Sequence, residues 1–128
     1  MAQLTTPVSA AVAVALDALS MRQQTIAANL ANVNTAGYRA GGVDFEQALR
    51  GAMEAAPDQP EQTLQELAEL RDSVRSGDFM RTAQHAGVEI DMELTRMSET
   101  VLRYQALVQG LGKYGSLAHM AITGEVKG

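Results

Sequence analysis

A chain of 128 residues makes one domain with one modest core. It has no Cys and no Trp, only two Phe and three Tyr, and its apolar content is mostly Ala, Val, Leu and Met, which excludes disulfides, thiolate metal sites and a thick aromatic core. The net charge of −5 arises in residues 54–78, where seven acids meet two arginines, whereas 1–53 and 79–128 are each balanced; no basic patch offers itself to nucleic acid and no apolar run reaches the ~18 residues of a membrane span.

Thr6-Pro7 opens the first predicted helix, Thr as N-cap and Pro at the first helical position. Apolar residues follow at Val12, Leu16, Leu19, Ile26, Leu30 and Val33, with Gln23 in the one polar slot. Steps of four and three alternate, the spacing of a coiled-coil seam. The segment Val8–Leu16 holds only Val, Ser, Ala and Leu, like the core of a signal peptide, but the first basic residue, Arg22, comes after it rather than before. The run is therefore read as helix rather than as a signal that is cleaved away.

The helix meets an Asn-rich stop, Ala28-Asn29-Leu30-Ala31-Asn32-Val33-Asn34-Thr35-Ala36-Gly37-Tyr38. Asn34 or Gly37 can adopt the left-handed conformation that ends a helix. Asn29 and Asn32 lie one turn apart. They are expected to bond polypeptide at the helix end, either across subunits or to the turn at Thr35–Tyr38, with the Tyr38 ring packed near this corner and Phe45 anchoring the next segment. Asp44-Phe45-Glu46-Gln47 reads as a capping box for a second, shorter helix with Phe45, Ala48, Leu49, Ala52, Met53 and Ala56 on one face. Pro57-Asp58-Gln59-Pro60 breaks it. A third amphipathic segment carries Leu64, Leu67, Leu70 and Val74 and stops at Gly77. Residues 77–88 have no clear period and read as loop or a short extended piece. The acidic stretch is expected to face solvent.

The last element keeps the four-three spacing through Ile90, Leu94, Met97, Val101, Tyr104, Val108, Leu111, Gly115, Ala118 and Ile122, with Asp91 as candidate N-cap. At about 1.5 Å rise per residue it is roughly 50 Å long. A lone helix of that kind cannot bury its stripe, so it needs the first helix, neighbouring subunits, or both.

Little here suits a catalyst. Gly110-Leu111-Gly112-Lys113-Tyr114-Gly115 fits G-x-G-x-x-G, but a dinucleotide fingerprint follows a strand and opens a helix, and this one lies inside a heptad run. Glycines there cost about 1 kcal/mol each relative to Ala, which suggests a close approach of backbones or a bend. His85 and His119 have no partner at metal-ligand spacing. No cofactor and no enzyme activity is expected.

Met21-Arg22-Gln23-Gln24-Thr25-Ile26-Ala27-Ala28-Asn29-Leu30-Ala31-Asn32-Val33-Asn34-Thr35-Ala36-Gly37-Tyr38-Arg39, followed by Val43-Asp44-Phe45-Glu46, resembles the N-terminal signature of bacterial flagellar rod and hook proteins. Ala36 stands where that family usually has Pro, and Leu30 where Ile is common. Val88-Glu89-Ile90-Asp91-Met92-Glu93-Leu94 and Leu102-Arg103-Tyr104-Gln105-Ala106 resemble the short, proximal-rod type within it. The Asp-Gly-Asn-Asn-Val run frequent before the last helix is replaced by Gln84-His85-Ala86-Gly87-Val88. The resemblance covers about half the chain, 21–46 and 88–122.

It implies an all-α chain of one structural domain, with long terminal helices packed in a coiled-coil-like manner: an N-terminal axial helix at 1–34, a turn and acidic, helical or irregular middle at 35–87, and a C-terminal axial helix at 88–128. It also implies a subunit of the periplasmic rod, the drive shaft of the flagellar basal body, exported through the type III channel without a cleaved signal peptide. Implied partners are other rod proteins, the rod-base adaptor protein, the membrane-ring protein, the export apparatus and copies of itself. The expected assembly residues are Asn29, Asn32, Thr35, Gly37, Tyr38, Phe45, Leu94, Val101, Tyr104, Val108, Leu111 and Gly115. The alternatives are another axial protein of the same family, or an intracellular helical adaptor or export chaperone.

Overall fold

The computed structural model describes residues 6–123, with side chains described as far as Lys113. In chain order the elements are α1 (Pro7–Ala31), β1 (Gly41–Val43), α2 (Glu46–Glu54), α3 (Pro60–Arg75), β2 (Met80–Thr82) and α4 (Ile90–Thr123). The chain is mostly helical, with long helices at both ends.

α1 is the element on which the rest is built. Thr6 caps it: its hydroxyl oxygen accepts from the Ser9 N–H at 3.1 Å, and the Ser9 hydroxyl oxygen accepts from the Thr6 N–H at 2.9 Å. Two of the unpaired N–H groups at this helix end are thereby used. Small residues at Ala10, Ala11, Ala15 and Ala18 let neighbours pack closely against α1. Ser9 and Ala10 share a groove with Leu64 and Leu67, and Asp17 bonds Arg71 and Arg75 at 2.7 and 2.9 Å, so α3 runs parallel to α1. Asn29 meets Glu93, Leu19 lies beside Thr100 and Val101, and Ala11 and Ala15 lie beside Leu107, so α4 runs antiparallel. The core joins Val14, Ala15, Ala18 and Leu19 to Val43, Phe45, Leu67 and Val74. Leu49, Ala52 and Met53 of α2 and Leu70 of α3 close it at the edge. Glu54, Asp58, Glu61, Glu69, Asp72 and Asp78 are exposed, as expected of the acidic middle.

Several local expectations are corrected. α1 ends at Ala31, earlier than residue 34, because the Asn32 N–H still reaches the carbonyls of Ala28, Asn29 and Leu30 while its backbone leaves the helix. Asn34 does not take the left-handed conformation; Gly37, at φ +77°, does. The capping box at Asp44 is absent. Phe45 is the N-cap of α2 and makes no side-chain cap bond. Asp44 is instead held by strand pairing, its N–H donating to the Phe79 carbonyl and its carboxylate accepting from Arg81 Nε at 2.7 Å. α4 starts one residue before Asp91, with the Glu93 N–H on the Glu89 carbonyl. Asp91 thus lies in the first turn, where its charge still suits the helix dipole.

The segment 77–88 proves partly extended. β2 pairs antiparallel with β1, Gly41 opposite Thr82, Gly42 opposite Arg81 and Val43 opposite Met80. Flanking bonds from Ala83 N–H to the Ala40 carbonyl and from Gly87 N–H to the Tyr38 carbonyl extend this clasp past the end of α1.

Candidate assembly site

The Asn-rich stop folds into a hub within its own chain. Asn29 is fully buried. Its amide nitrogen donates to the Gly41 carbonyl at 3.0 Å and to Glu93 Oε1 at 2.9 Å. Its amide oxygen accepts from the Gly41 N–H at 2.9 Å and from the Tyr38 hydroxyl at 3.1 Å. The hydrogen-bonding capacity of one side chain is thus filled by three other segments: the turn, β1 and the start of α4. Glu93 is only 2% exposed, and its other oxygen accepts from Arg96 at 2.6 Å. Gly41 is required for the fit, since a Cβ there would stand 2.9 Å from the Thr25 methyl.

Asn29 therefore finds the partner expected within the chain, at the turn. Asn32 has a smaller task. Its amide donates to the Ala28 carbonyl at 2.8 Å and its oxygen accepts from the Thr35 hydroxyl at 3.0 Å, at the surface. Phe45 is core, 1% exposed, with the Arg22 guanidinium 5.0 Å from its ring centre. Asn29 and Phe45 are enclosed by their own chain, so any service to assembly is through the shape they hold.

A second node ties three helices together. Glu46, at the start of α2, accepts from Arg22 of α1 at 2.7 and 2.8 Å and from Arg103 of α4 at 3.0 Å; Arg22 also donates to the Val43 carbonyl. The Arg22 bonds hold the Glu46 carboxyl down at about 2, against a usual 4.5, outweighing its partial burial; Arg103 adds to the effect. The folded pKa is depressed, so the node's stabilisation is present above pH 4.5 and is lost as pH falls towards 2. We expect Glu46→Gln to melt below the wild type at pH 7. The gap in melting temperature should narrow as pH drops from 4.5 towards 2, measured by circular dichroism.

Arg22, Gly41, Glu46, Glu93 and Arg103 were not among the expected site residues, although all five lie inside the family-like segments. Charged residues embedded in an otherwise apolar motif were the available signal.

The third feature is an open face. Ile90, Leu94, Val101, Tyr104 and Val108 are 38–48% exposed, and Leu111 is half-buried. α4 meets α1 through another line, Glu93, Thr100 and Leu107. The α4 stripe is turned roughly a quarter turn from that line at 3.6 residues per turn. In α1 the stripe divides: Leu19 and Ile26 are buried along with Val14, Ala18, Thr25 and Asn29, while Val12, Leu16, Gln23 and Leu30 are half-buried. The two stripes thus meet only in part, Leu19 of α1 lying beside Val101 and Tyr104 of α4. Between them runs a groove of about 280 Å³ lined by Leu19, Ser20 and Gln23 of α1 and Thr100, Val101, Tyr104 and Gln105 of α4. The polar bonds at Asn29–Glu93 and Arg22–Glu46–Arg103 set this rotation.

Thr35 and Gly37 are exposed in the turn and Tyr38 is half-buried. Gly110 and Gly112 sit in α4 with no atom from beyond their own stretch of helix within 4 Å of where a Cβ would be, so among the described residues they make no close approach. The surroundings of Gly115 lie outside the described residues, as does His119. Among the described residues no three His, Asp or Glu side chains are grouped as metal ligands, and no helix is long and apolar enough to cross a membrane.

Polar nodes lock the helices together inside the chain and leave the apolar stripe of α4 outward, the build of a structural protein. The family described as "Flagella basal body rod protein" matches residues 12–39, which span most of α1 with Asn29 and Tyr38 of the hub. The flagellar basal body rod protein FlgB of Bacillus subtilis (strain 168) is 30% identical over 110 residues, covering 80% of this chain and 84% of the relative. The chain belongs to the flagellar basal body rod proteins, and within them to the FlgB type. That family is structural and non-enzymatic.

Proposed function

We propose that the chain is a subunit of the proximal part of the rod, the shaft that turns in the periplasm, and that it polymerises through the outer face of the α1–α4 pair for flagellum-dependent motility. The observation that carries this is the solvent-facing stripe of α4 beside the half-buried stripe of α1. Burying apolar surface is worth about 25 cal/mol per Å². Two long stripes on one face, on balanced terminal segments that do not repel their like, favour packing against other subunits. Partners under this reading are copies of itself, other rod proteins, the rod-base adaptor, the membrane-ring protein and the export apparatus.

Export without cleavage is part of the proposal. Val14 and Ala15, within the apolar run of α1, are core residues. Removing that run would open the core and leave Leu67 and Val74 uncovered. Mass spectrometry of purified basal bodies is expected to recover this chain with peptides spanning Val8–Leu16. A basal-body chain that begins after Asp17, or basal bodies without the chain, would overturn the reading.

A further inference from the structure

A second groove, of about 460 Å³, opens between α1, α2 and α4. Its floor is apolar, made by Ala11, Ala15, Leu49, Met53 and Leu107, and two exposed cations line it, Arg50 of α2 and Arg103 of α4. Arg103 gives one nitrogen to Glu46, the acid in this lining, which Arg22 already holds. Arg50 makes no ion pair among the described residues, although Glu54 lies one turn further along α2. The groove therefore keeps an excess of positive charge. The start of α4 is its reverse. Ile90 and Leu94, one turn apart, are 47% and 48% exposed, and the exposed Asp91 carboxylate between them has no partner among the described residues. Residues 89–94 hold three acids and no base, and of these Glu93 is paired, with Arg96.

We propose that the first turn of α4 of one copy seats in the α1–α2–α4 groove of the next, with Ile90 and Leu94 on the apolar floor and Asp91 against Arg50. This rests on the rod-subunit reading above and names what covers the first turn of the α4 stripe. A second copy is the occupant because the chain itself carries the complement: an apolar pair flanked by acids, for an apolar floor flanked by arginines. The two surfaces share no residue. They also lie at opposite ends of the α1–α4 pair, Glu93 meeting Asn29 and Leu107 lying beside Ala11. From Ile90 to Leu107 along one helix is roughly 25 Å, so no copy can seat its own first turn in its own groove. The contact is head-to-tail, and a contact of that kind repeats along a shaft rather than closing a dimer.

The chain has no cysteine, so an introduced pair reports the contact directly. Two differently tagged chains, one Arg50→Cys and one Asp91→Cys, are co-expressed, and basal bodies are treated with a short bis-maleimide. A cross-linked dimer carrying both tags is expected. Charge reversal gives a second readout. Both side chains are exposed and unpaired in the isolated chain, so Arg50→Glu and Asp91→Arg should each melt within about 5 °C of the wild type. Arg50→Glu sets like charges against each other across the contact and should lower the yield of assembled rods about tenfold or more; adding Asp91→Arg should restore it. A normal rod yield with Arg50→Glu, a double reversal no better than the single one, or cross-linking of the Asp91→Cys chain only to other proteins overturns the proposal. Val101→Glu with Val108→Glu separates the two readings. If that pair blocks rods while Arg50→Glu does not, the outer face assembles but this groove is not its seat. If neither blocks rods, the outer-face reading itself fails.

Discussion

Asn29→Ala is expected to damage this chain as severely as a truncation in its apolar core. The change leaves the Gly41 N–H and carbonyl, the Tyr38 hydroxyl and one oxygen of the buried Glu93 without their partner. Stranding a buried charge or its partner costs about 3–5 kcal/mol. Arg96 still holds the other Glu93 oxygen, which places the loss near ~3 kcal/mol, a large share of the ~5–15 kcal/mol of a typical domain. Urea unfolding measures it directly. The isosteric Asn29→Asp should also destabilise, because a carboxylate can accept from Gly41 and Tyr38 but cannot donate to Glu93. Asn32→Ala should cost within about 1 kcal/mol, since its bonds are local and exposed. In cells, Asn29→Ala should leave rings without a shaft, and adding Asn32→Ala should change little. Equal effects of the two single changes would mean that the hub is not where this corner gets its stability.

The contrast between the two asparagines marks how far the sequence could be read. The stripes of α1 and α4, the cap at Thr6, the faces of α2 and α3 and the stop near Asn32 follow from periodicity and from local capping chemistry, and they are found. What periodicity cannot supply is the rotation of one helix about another. Heptad spacing invites the expectation that the stripes of α1 and α4 meet. They do so only in part, Leu19 lying beside Val101 and Tyr104, because Asn29 bonds a carboxylate 64 residues away and Glu46 draws Arg22 and Arg103 to one point. Such pairings between distant residues have no local signature. The β1–β2 clasp was half hidden: 77–88 could be read as loop or a short extended piece, but each strand has three residues and nothing local marks Gly41 as the residue that must fit beside Thr25 and Asn29. Asp44 followed by Gln47 has the form of a capping box, yet the pull of strand pairing on Asp44 overrides it. The assembly residues divide in the same way. Leu94, Val101, Tyr104 and Val108 could be picked from spacing and are outward, whereas Asn29 and Phe45 could be picked from the motif and are inward.

That division leads to the second large effect, expected from the double change Val101→Glu with Val108→Glu. Both valines are already exposed in the isolated chain, at 38% and 45%. Neither belongs to the core, so the purified double variant should unfold within about 1 kcal/mol of the wild type, two surface substitutions at up to ~0.5 kcal/mol each. Assembly should respond quite differently. In the rod the stripe would be covered by a neighbour, and burying an unpaired carboxylate there costs several kcal/mol, about 3 per site by the penalty for a stranded buried charge. The cost recurs in every copy, so filaments cannot dilute it. We therefore expect a folded, exported but unassembled chain, and cells that do not swarm. The companion change Val101→Leu with Val108→Leu, which keeps the stripe apolar, should still swarm. Normal swarming by the glutamate variant would show that this face remains in solvent in the finished organelle. The shaft contacts would then have to be sought further round α4, about 100° from Val101, around Leu102, which at 65% exposed is the most open large apolar side chain in the described part of the molecule.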